Sequence, residues 1–198
     1  EGMGTPNGDG SVTLSDDEKE QLKAIERLDL SNIGLKNLYG IEVYSNLKYL
    51  YCTDNPGLTK IDVRKLTKLE TLDCKRSALT ELKVTGLSNL RTLNCSQNQL
   101  TELDLTGLTN LRTLSCAINK LSELNLTGLT SLEIFYCHEN RMTHLDITML
   151  PALTRLMCGK QTNDNRGQLI LIMTSEQYTN MWSAQGYVEN TGVLPVPK

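Results

Sequence analysis

LRTLNCSQNQLTELDLTGLTN (90–110) runs without a gap into LRTLSCAINKLSELNLTGLTS (111–131), and the two stretches carry leucine, cysteine, asparagine and glycine at matching places. The same frame extends both ways. LKYLYCTDNPGLTKIDVRKLTK begins at Leu47, LETLDCKRSALTELKVTGLSN at Leu69, LEIFYCHENRMTHLDITMLPA at Leu132, and LTRLMCGKQT opens a last copy at Leu153. The six cysteines fall at 52, 74, 95, 116, 137 and 158, with gaps of 22, 21, 21, 21 and 21. A fixed period between about 20 and 50 residues marks stacked units, none of which can bury its apolar face alone. Each coil then contacts only its neighbours, and the product is a rod.

Each unit reads L-x-x-L-x-C-x-x-N-x-L-T-x-L-D-L-T-G-L. Its L-x-C centre alternates with the period of a strand. Leu50 and Cys52, and their counterparts Leu72/Cys74, Leu93/Cys95, Leu114/Cys116, Phe135/Cys137 and Leu156/Cys158, point inward. Successive strands would pair in parallel about 4.8 Å apart. The second half also alternates, at Leu82/Val84, Leu103/Leu105, Leu124/Leu126 and Leu145/Ile147, which predicts a second run of short strands on the opposite side. Gly86, Gly107 and Gly128 mark the turn back, where positive φ comes easily to glycine.

The L-x-x-L-x-C-x-x-N-x-L signature resembles the leucine-rich repeat family, over roughly Ile25 to Thr162. The repeat length and the nested L-x-x-L-D-L half resemble the bacterial, internalin-like variety found in secreted and surface proteins. The resemblance implies a β-rich, right-handed, curved solenoid with a parallel sheet on its concave face, and a role in recognising another molecule. The family asparagine recurs as Asn55, Asn98, Asn119 and Asn140, while Ser77 and Gln161 replace it in two coils, where looser bonding is expected. The unit 47–68 carries one extra residue, placed at Asn55-Pro56-Gly57.

The cysteines repeat at inward strand positions. Neighbouring parallel strands hold Cβ atoms near 4.8 Å, wider than the roughly 3.5–4.5 Å a disulfide takes. Cysteine also serves as a small buried hydrophobe, so a ladder of free thiols is expected. No C-x-x-C pair suggests zinc.

The chain divides into an N-terminal loop and capping helix (1–24), the solenoid (25–162) and a strand-helix-strand cap (163–198). Ile25–Asn46 reads as a modified first coil with Leu30 at the cysteine position. Ser15-Asp16-Asp17-Glu18 is a capping box that opens a helix at about 16–24. Beyond Gln161 the periodicity stops. LILIM (169–173) reads as a strand, and Thr174-Ser175-Glu176-Gln177 as a second capping box opening a helix to about Ala184, with Gly186 as its stop. Trp182, Tyr178 and Met181 are expected to cover the open end of the leucine core.

TPNGDGSVTLSD (5–16) resembles half of a dockerin or EF-hand loop. Asn7, Asp9, Ser11 and Asp16 fall at calcium-ligand positions and Gly10 at the turn glycine. Thr5 stands where an aspartate belongs, Asp16 replaces the bidentate glutamate, and there is no second copy. A polar turn before a helix is the other reading. Calcium at this loop is the single cofactor the sequence suggests.

The net charge of −3 does not recommend nucleic acid as a partner. No apolar run approaches about 20 residues, so no membrane span is expected. The resemblance implies an extracellular or cell-surface location, with a lipid anchor on a removed N-terminal segment as one route.

Outward strand positions supply the candidate binding surface: Tyr49, Tyr51, Asp73, Asn94, Ile134, Tyr136, His138 and Arg155. Rings and large groups stand at both shoulders of a small, polar middle. Aromatic and arginine side chains are the usual energetic centres of interfaces, although tyrosine also simply suits strands. His138 follows Cys137, but adjacent strand residues face opposite ways and cannot form a nucleophile–base pair. No phosphate loop or G-x-S-x-G motif occurs. The expected role is non-enzymatic recognition of a protein or glycan by a monomer or weak dimer. A spacer domain and calcium-dependent docking are the alternatives.

Overall fold

The chain is described by a computed structural model, which covers residues 5–6, 12–13, 15–161, 169–183 and 193–197. Seven three-residue strands, one per coil, form a single parallel sheet in chain order: Arg27–Asp29, Tyr49–Tyr51, Thr71–Asp73, Thr92–Asn94, Thr113–Ser115, Ile134–Tyr136 and Arg155–Met157. The register is unbroken. Leu28, Leu50, Leu72, Leu93, Leu114, Phe135 and Leu156 stand opposite one another in one inward column. The six cysteines form a second inward column; all are free and buried. Their backbone N–H groups run the ladder one step further, from Cys52 to Asp73 O at 2.8 Å through Cys137 to Met157 O at 2.8 Å. The expected thiol ladder is present.

Inside the bend after four of the strands, an asparagine (Asn55, Asn98, Asn119 or Asn140) bonds backbone of its own and the preceding coil. Asn119 Nδ2 donates to the carbonyls of Cys95 (3.0 Å), Cys116 (3.1 Å) and Ala117 (3.3 Å), and its Oδ1 accepts from Leu100 N–H (3.0 Å). Asn98 and Asn140 repeat this geometry. Gln161 does so as well, donating to Cys137 O and Cys158 O and accepting from Met142 N–H at 3.1 Å. The looser bonding expected at Gln161 is therefore absent, because the amide group reaches the same partners on a longer stem. At Ser77 the expectation holds: its hydroxyl accepts only a 3.4 Å bond from Asn55 N–H. The group an asparagine at 77 would serve is Leu58 N–H, nineteen residues back as in the other coils. That N–H instead donates to Asn55 O at 2.9 Å, across the turn built by the extra residue in Asn55-Pro56-Gly57. The missing asparagine and the insertion thus offset one another.

One residue before that asparagine the backbone turns left-handed in every coil: Asn32, Asp54, Arg76, Gln97, Ile118, Glu139 and Lys160 have φ of 51 to 58°. The conformation is enforced by coil-to-coil bonds, as in Ile118 N–H to His138 O (2.9 Å) and Asn98 N–H to Ile118 O (3.1 Å). For a β-branched residue this region is strained. Replacing Ile118 with Asn, the residue used at the equivalent position 32, is expected to stabilise the protein by about 1 kcal/mol, read as a higher urea midpoint at unchanged slope.

The second run of strands is only partly formed. Lys60–Asp62 pairs with Glu81–Lys83, and His144–Asp146 pairs with Leu169–Met173, but residues 101–105 and 122–126 form no strand. The charge pattern changes where pairing stops. Lys60 lies opposite Glu81, and the two form a 3.0 Å ion pair; Asp62 lies opposite Lys83. At the same positions one and two coils on stand Glu102 and Glu123, a column of like charges with Glu81 that disfavours cross-strand pairing. The turn glycines behave as expected, with Gly86, Gly107 and Gly128 at φ +78, +84 and +85°. Gly107 is also a close approach: a Cβ there would meet Gly86 Cα at 2.9 Å.

At the N-terminal end, a helix spans Asp16–Lys23 with the Ser15/Glu18 capping box fully made. At the other end Leu169, Leu171 and Met173 point alternately into the core and close it. Thr174 and Gln177 form the second capping box, from which Ser175–Ser183 is helical. Gln177 Nε2 ties that helix to Ile147 O and Leu150 O. Tyr178, expected over the core, is exposed, because the LILIM strand already seals that end. The side chains of Met181 and Trp182, and Gly186 itself, lie outside the described residues. So do Asn7, Asp9, Gly10 and Ser11; Thr5–Pro6 and Val12–Thr13 pair antiparallel on either side of them.

Candidate functional site

The outward face of the seven-stranded sheet carries two columns. One runs Arg27, Tyr49, Thr71, Thr92, Thr113, Ile134, Arg155; the other runs Asp29, Tyr51, Asp73, Asn94, Ser115, Tyr136, Met157. The register brings all of the sequence-predicted contact residues onto this face except His138, which follows its strand by two residues and stands beside the equivalent Ala117 and Gly159.

The two shoulders are built alike. At one, Arg27 Cζ lies 4.4 Å from the centre of the Tyr51 ring, and its Nη1 donates to Tyr51 Oη at 3.2 Å. At the other, Arg155 Nη1 donates to Tyr136 Oη at 3.3 Å. Each arginine donates to a phenol oxygen and remains exposed, and Arg27 also lies over its ring. Tyr51 and Tyr136 are four strands apart, about 19 Å at the usual strand spacing. Arg27 was absent from the contact set drawn from the sequence. The signal was there, since it occupies the Tyr49 position one coil earlier.

Asp73 and Asn94 have a prior task. Asp73 Oδ1 accepts from Lys75 N–H (3.2 Å), and Asn94 Oδ1 accepts from Ser96 N–H (3.2 Å) and Ser96 Oγ (2.7 Å). Asp29 makes the same turn to Ser31, whose hydrogen bonds hold its carboxyl below the usual range. The polar floor is thus fixed by its own turns and offers a rigid surface.

Chemistry at the cysteines is suppressed by burial. The Cys52, Cys95 and Cys158 thiols are pushed up to about 12, and those of Cys74, Cys116 and Cys137 well above their ordinary 9.0, with desolvation the leading cause. His138 Nδ1 is a buried ring nitrogen without a hydrogen-bond partner, two residues beyond its strand. His144 sits on the back of the solenoid, its Nδ1 3.0 Å from Thr143 Oγ1. Of the four calcium-ligand candidates, Asp16 alone is described: it is the first residue of the helix and pairs with Lys19 at 2.9 Å, the main reason its carboxyl titrates low.

Residues 88–130 match a family model for leucine-rich repeats in two copies. Among solved structures, the functional domain of InlJ from Listeria monocytogenes, which includes a cysteine ladder, is 37% identical, with 69% of this chain and 30% of that chain covered and a TM-score of 0.66. The internalin InlF from Listeria monocytogenes aligns at 22% identity over 83% of this chain and 51% of that one, with a TM-score of 0.62. The internalin InlC2 from the same organism aligns at 24% identity over 85% and 87%, with a TM-score of 0.54. These last two likenesses show the fold alone. The chain spans 30% and 51% of the first two of these structures. No functionally curated protein matches it. The chain is a leucine-rich repeat solenoid of the bacterial, internalin-like kind. Among the described residues, no helix is long and apolar enough to cross a membrane.

Proposed function

We propose that this chain is a non-enzymatic recognition module of a secreted or surface-anchored bacterial protein, and that it binds a protein partner through the outward face of its parallel sheet. One observation carries the reading. Two tyrosine–arginine shoulders, Arg27/Tyr49/Tyr51 and Ile134/Tyr136/Arg155, face the same way from one sheet with three strands of small polar residues between them. Interface energy concentrates in such aromatic and arginine anchors, while a flat polar floor supplies complementarity. Rigid anchors lose little side-chain freedom on binding.

The test is a comparative capture. The wild-type chain and a Y49S/Y51S/Y136S variant, matched in circular dichroism and melting temperature, are immobilised and exposed to purified surface proteins and to glycan arrays. Partners retained by the wild type should bind the variant at least about 100-fold more weakly, since two or more anchors are lost. Binding that is equal for both proteins places recognition elsewhere or leaves a spacer role. Retention of glycans with loss of all proteins turns the reading to carbohydrate.

A further inference from the structure

We infer that two copies of this chain associate about a two-fold axis through the first strand, Arg27–Asp29, so that their sheets join edge to edge. The strand ends the sheet: among the described residues, none pairs with its outer side. Its inner side is defined by Leu30 N–H donating to Tyr51 O (2.7 Å) and by Glu26 O accepting from Lys48 and Tyr49 N–H (2.8 and 3.0 Å). Successive residues of a strand direct their N–H and C=O groups to opposite sides. The backbone groups of Arg27 and Asp29 therefore point outward, as an open edge available to another strand.

Only one antiparallel register suits both backbone and charge. Centring the axis on Leu28 places Arg27 opposite Asp29 of the second copy and Asp29 opposite Arg27, each as a hydrogen-bonded pair. Centring it on Arg27 or on Asp29 sets like charges face to face, which disfavours pairing. The tripeptide Arg-Leu-Asp is thus self-complementary about its own middle. Both charged residues are exposed.

Among the described residues, the first coil has no further coil on that side, only the short helix Asp16–Lys23 near Ile41–Val43. Ile25, Leu28, Leu30, Leu35 and Leu38 are only partly buried, whereas Leu47, Leu50 and Cys52 at the matching positions of the next coil are 0% exposed. Ile33, at 61%, is more exposed still. A second copy paired at the edge covers the flank of this apolar end. It also brings the two Tyr49/Tyr51 shoulders within one strand of the seam, so the dimer presents a doubled aromatic surface.

The contact is small, at the low end of specific interfaces, so half-association is expected at about 0.1–1 mM once the entropic cost of joining two bodies is met. Sedimentation equilibrium of the whole chain from about 0.02 to 2 mM should show a closed monomer–dimer equilibrium. Amide exchange of Arg27 and Asp29 should slow as concentration rises. D29R, which sets two arginines against two arginines, should weaken self-association at least about 10-fold, and R27D should do the same. The double variant R27D/D29R restores the complementarity and should dimerise like the wild type. D29R mixed with R27D should form a mixed dimer. Circular dichroism of each variant separates misfolding from loss of contact, and the double variant tests the register even if one single variant folds poorly. A chain that stays monomeric up to about 2 mM, a dimer indifferent to these reversals, or open-ended growth through head-to-tail stacking would each overturn the inference.

Discussion

Asn119→Ala is expected to cost about 2–3 kcal/mol, while Ser77→Ala, at the same place in another coil, costs less than about 1. Truncation at 119 strips three carbonyls of a donor and leaves Leu100 N–H, buried in the bend, with no acceptor. A buried polar group left unpaired costs roughly 1–3 kcal/mol. The carbonyls are partly protected, because Cys95 O also receives Asn98 Nδ2 and Cys116 O also receives Asn140 Nδ2. Ala117 O likewise keeps the Gln97 N–H at 2.9 Å, so the orphaned Leu100 N–H accounts for most of the loss. Ser77 has no comparable duty, since Leu58 N–H is satisfied across the Asn55–Leu58 turn. Asn119→Asp should be worse than Ala: its second oxygen would face three carbonyl oxygens, and a buried carboxylate without a donor either takes up a proton or unfolds the coil. Urea unfolding of the three variants checks the ranking. Equal losses at 77 and 119 would mean that the column is ornamental and that the leucines alone fix the bends. Because a solenoid is stabilised largely through neighbour contacts, the central lesion should also broaden the transition, as the two halves melt with less coupling.

The repeat made most of this architecture readable in advance. A period of 21 with a leucine, or Phe135, two residues before each cysteine leaves one stacking that seals both columns from water, and the register of all seven strands follows from it. Tyr49, Tyr51 and Tyr136 could be placed on one face by parity alone. What parity does not contain is partnership. Arg27 stacking on Tyr51 and Arg155 reaching Tyr136 depend on side chains from neighbouring coils, some twenty residues away in sequence. The double duty of Asp73 and Asn94 was hidden for the opposite reason: their bonds run two residues along the chain, in turns that an inward–outward pattern does not encode. The back of the solenoid shows the limit of pattern most directly. Residues 81–83 and 102–104 share the same alternation, yet only the first set pairs; Lys60 faces Glu81, whereas Glu81 is followed by Glu102. The replacement of asparagine by Gln161 looked like a defect and is a substitute; only the amide's reach decides.

Alkaline unfolding should be unusually steep, and the thiol column is the reason. In the native state Cys52, Cys95 and Cys158 titrate at about 12, and Cys74, Cys116 and Cys137 well above 9.0, since a thiolate there would be stripped of water. Unfolded, the same thiols lose their protons near the ordinary 9.0. Between these values the unfolded chain binds fewer protons than the native one, so stability falls as pH rises. The contribution is fully present below about pH 9 and is lost progressively toward pH 12. Each thiol contributes a slope of about 1.4 kcal/mol per pH unit, and six together approach about 8. A domain holding the usual 5–15 kcal/mol should therefore unfold cooperatively near pH 10–11. Replacing one cysteine of the column with Ala should shallow the pH dependence by about one sixth while costing some stability at neutral pH through the small void it leaves. The same burial predicts that thiol reagents label none of the six at pH 8 in the native protein and all six in denaturant. Fluorescence-monitored unfolding across pH 8–12, with the single-cysteine variants alongside, separates the thiols from tyrosine and lysine titration, which those variants leave untouched. A slope that does not change with the number of cysteines would place alkaline stability in the surface charges instead of the core.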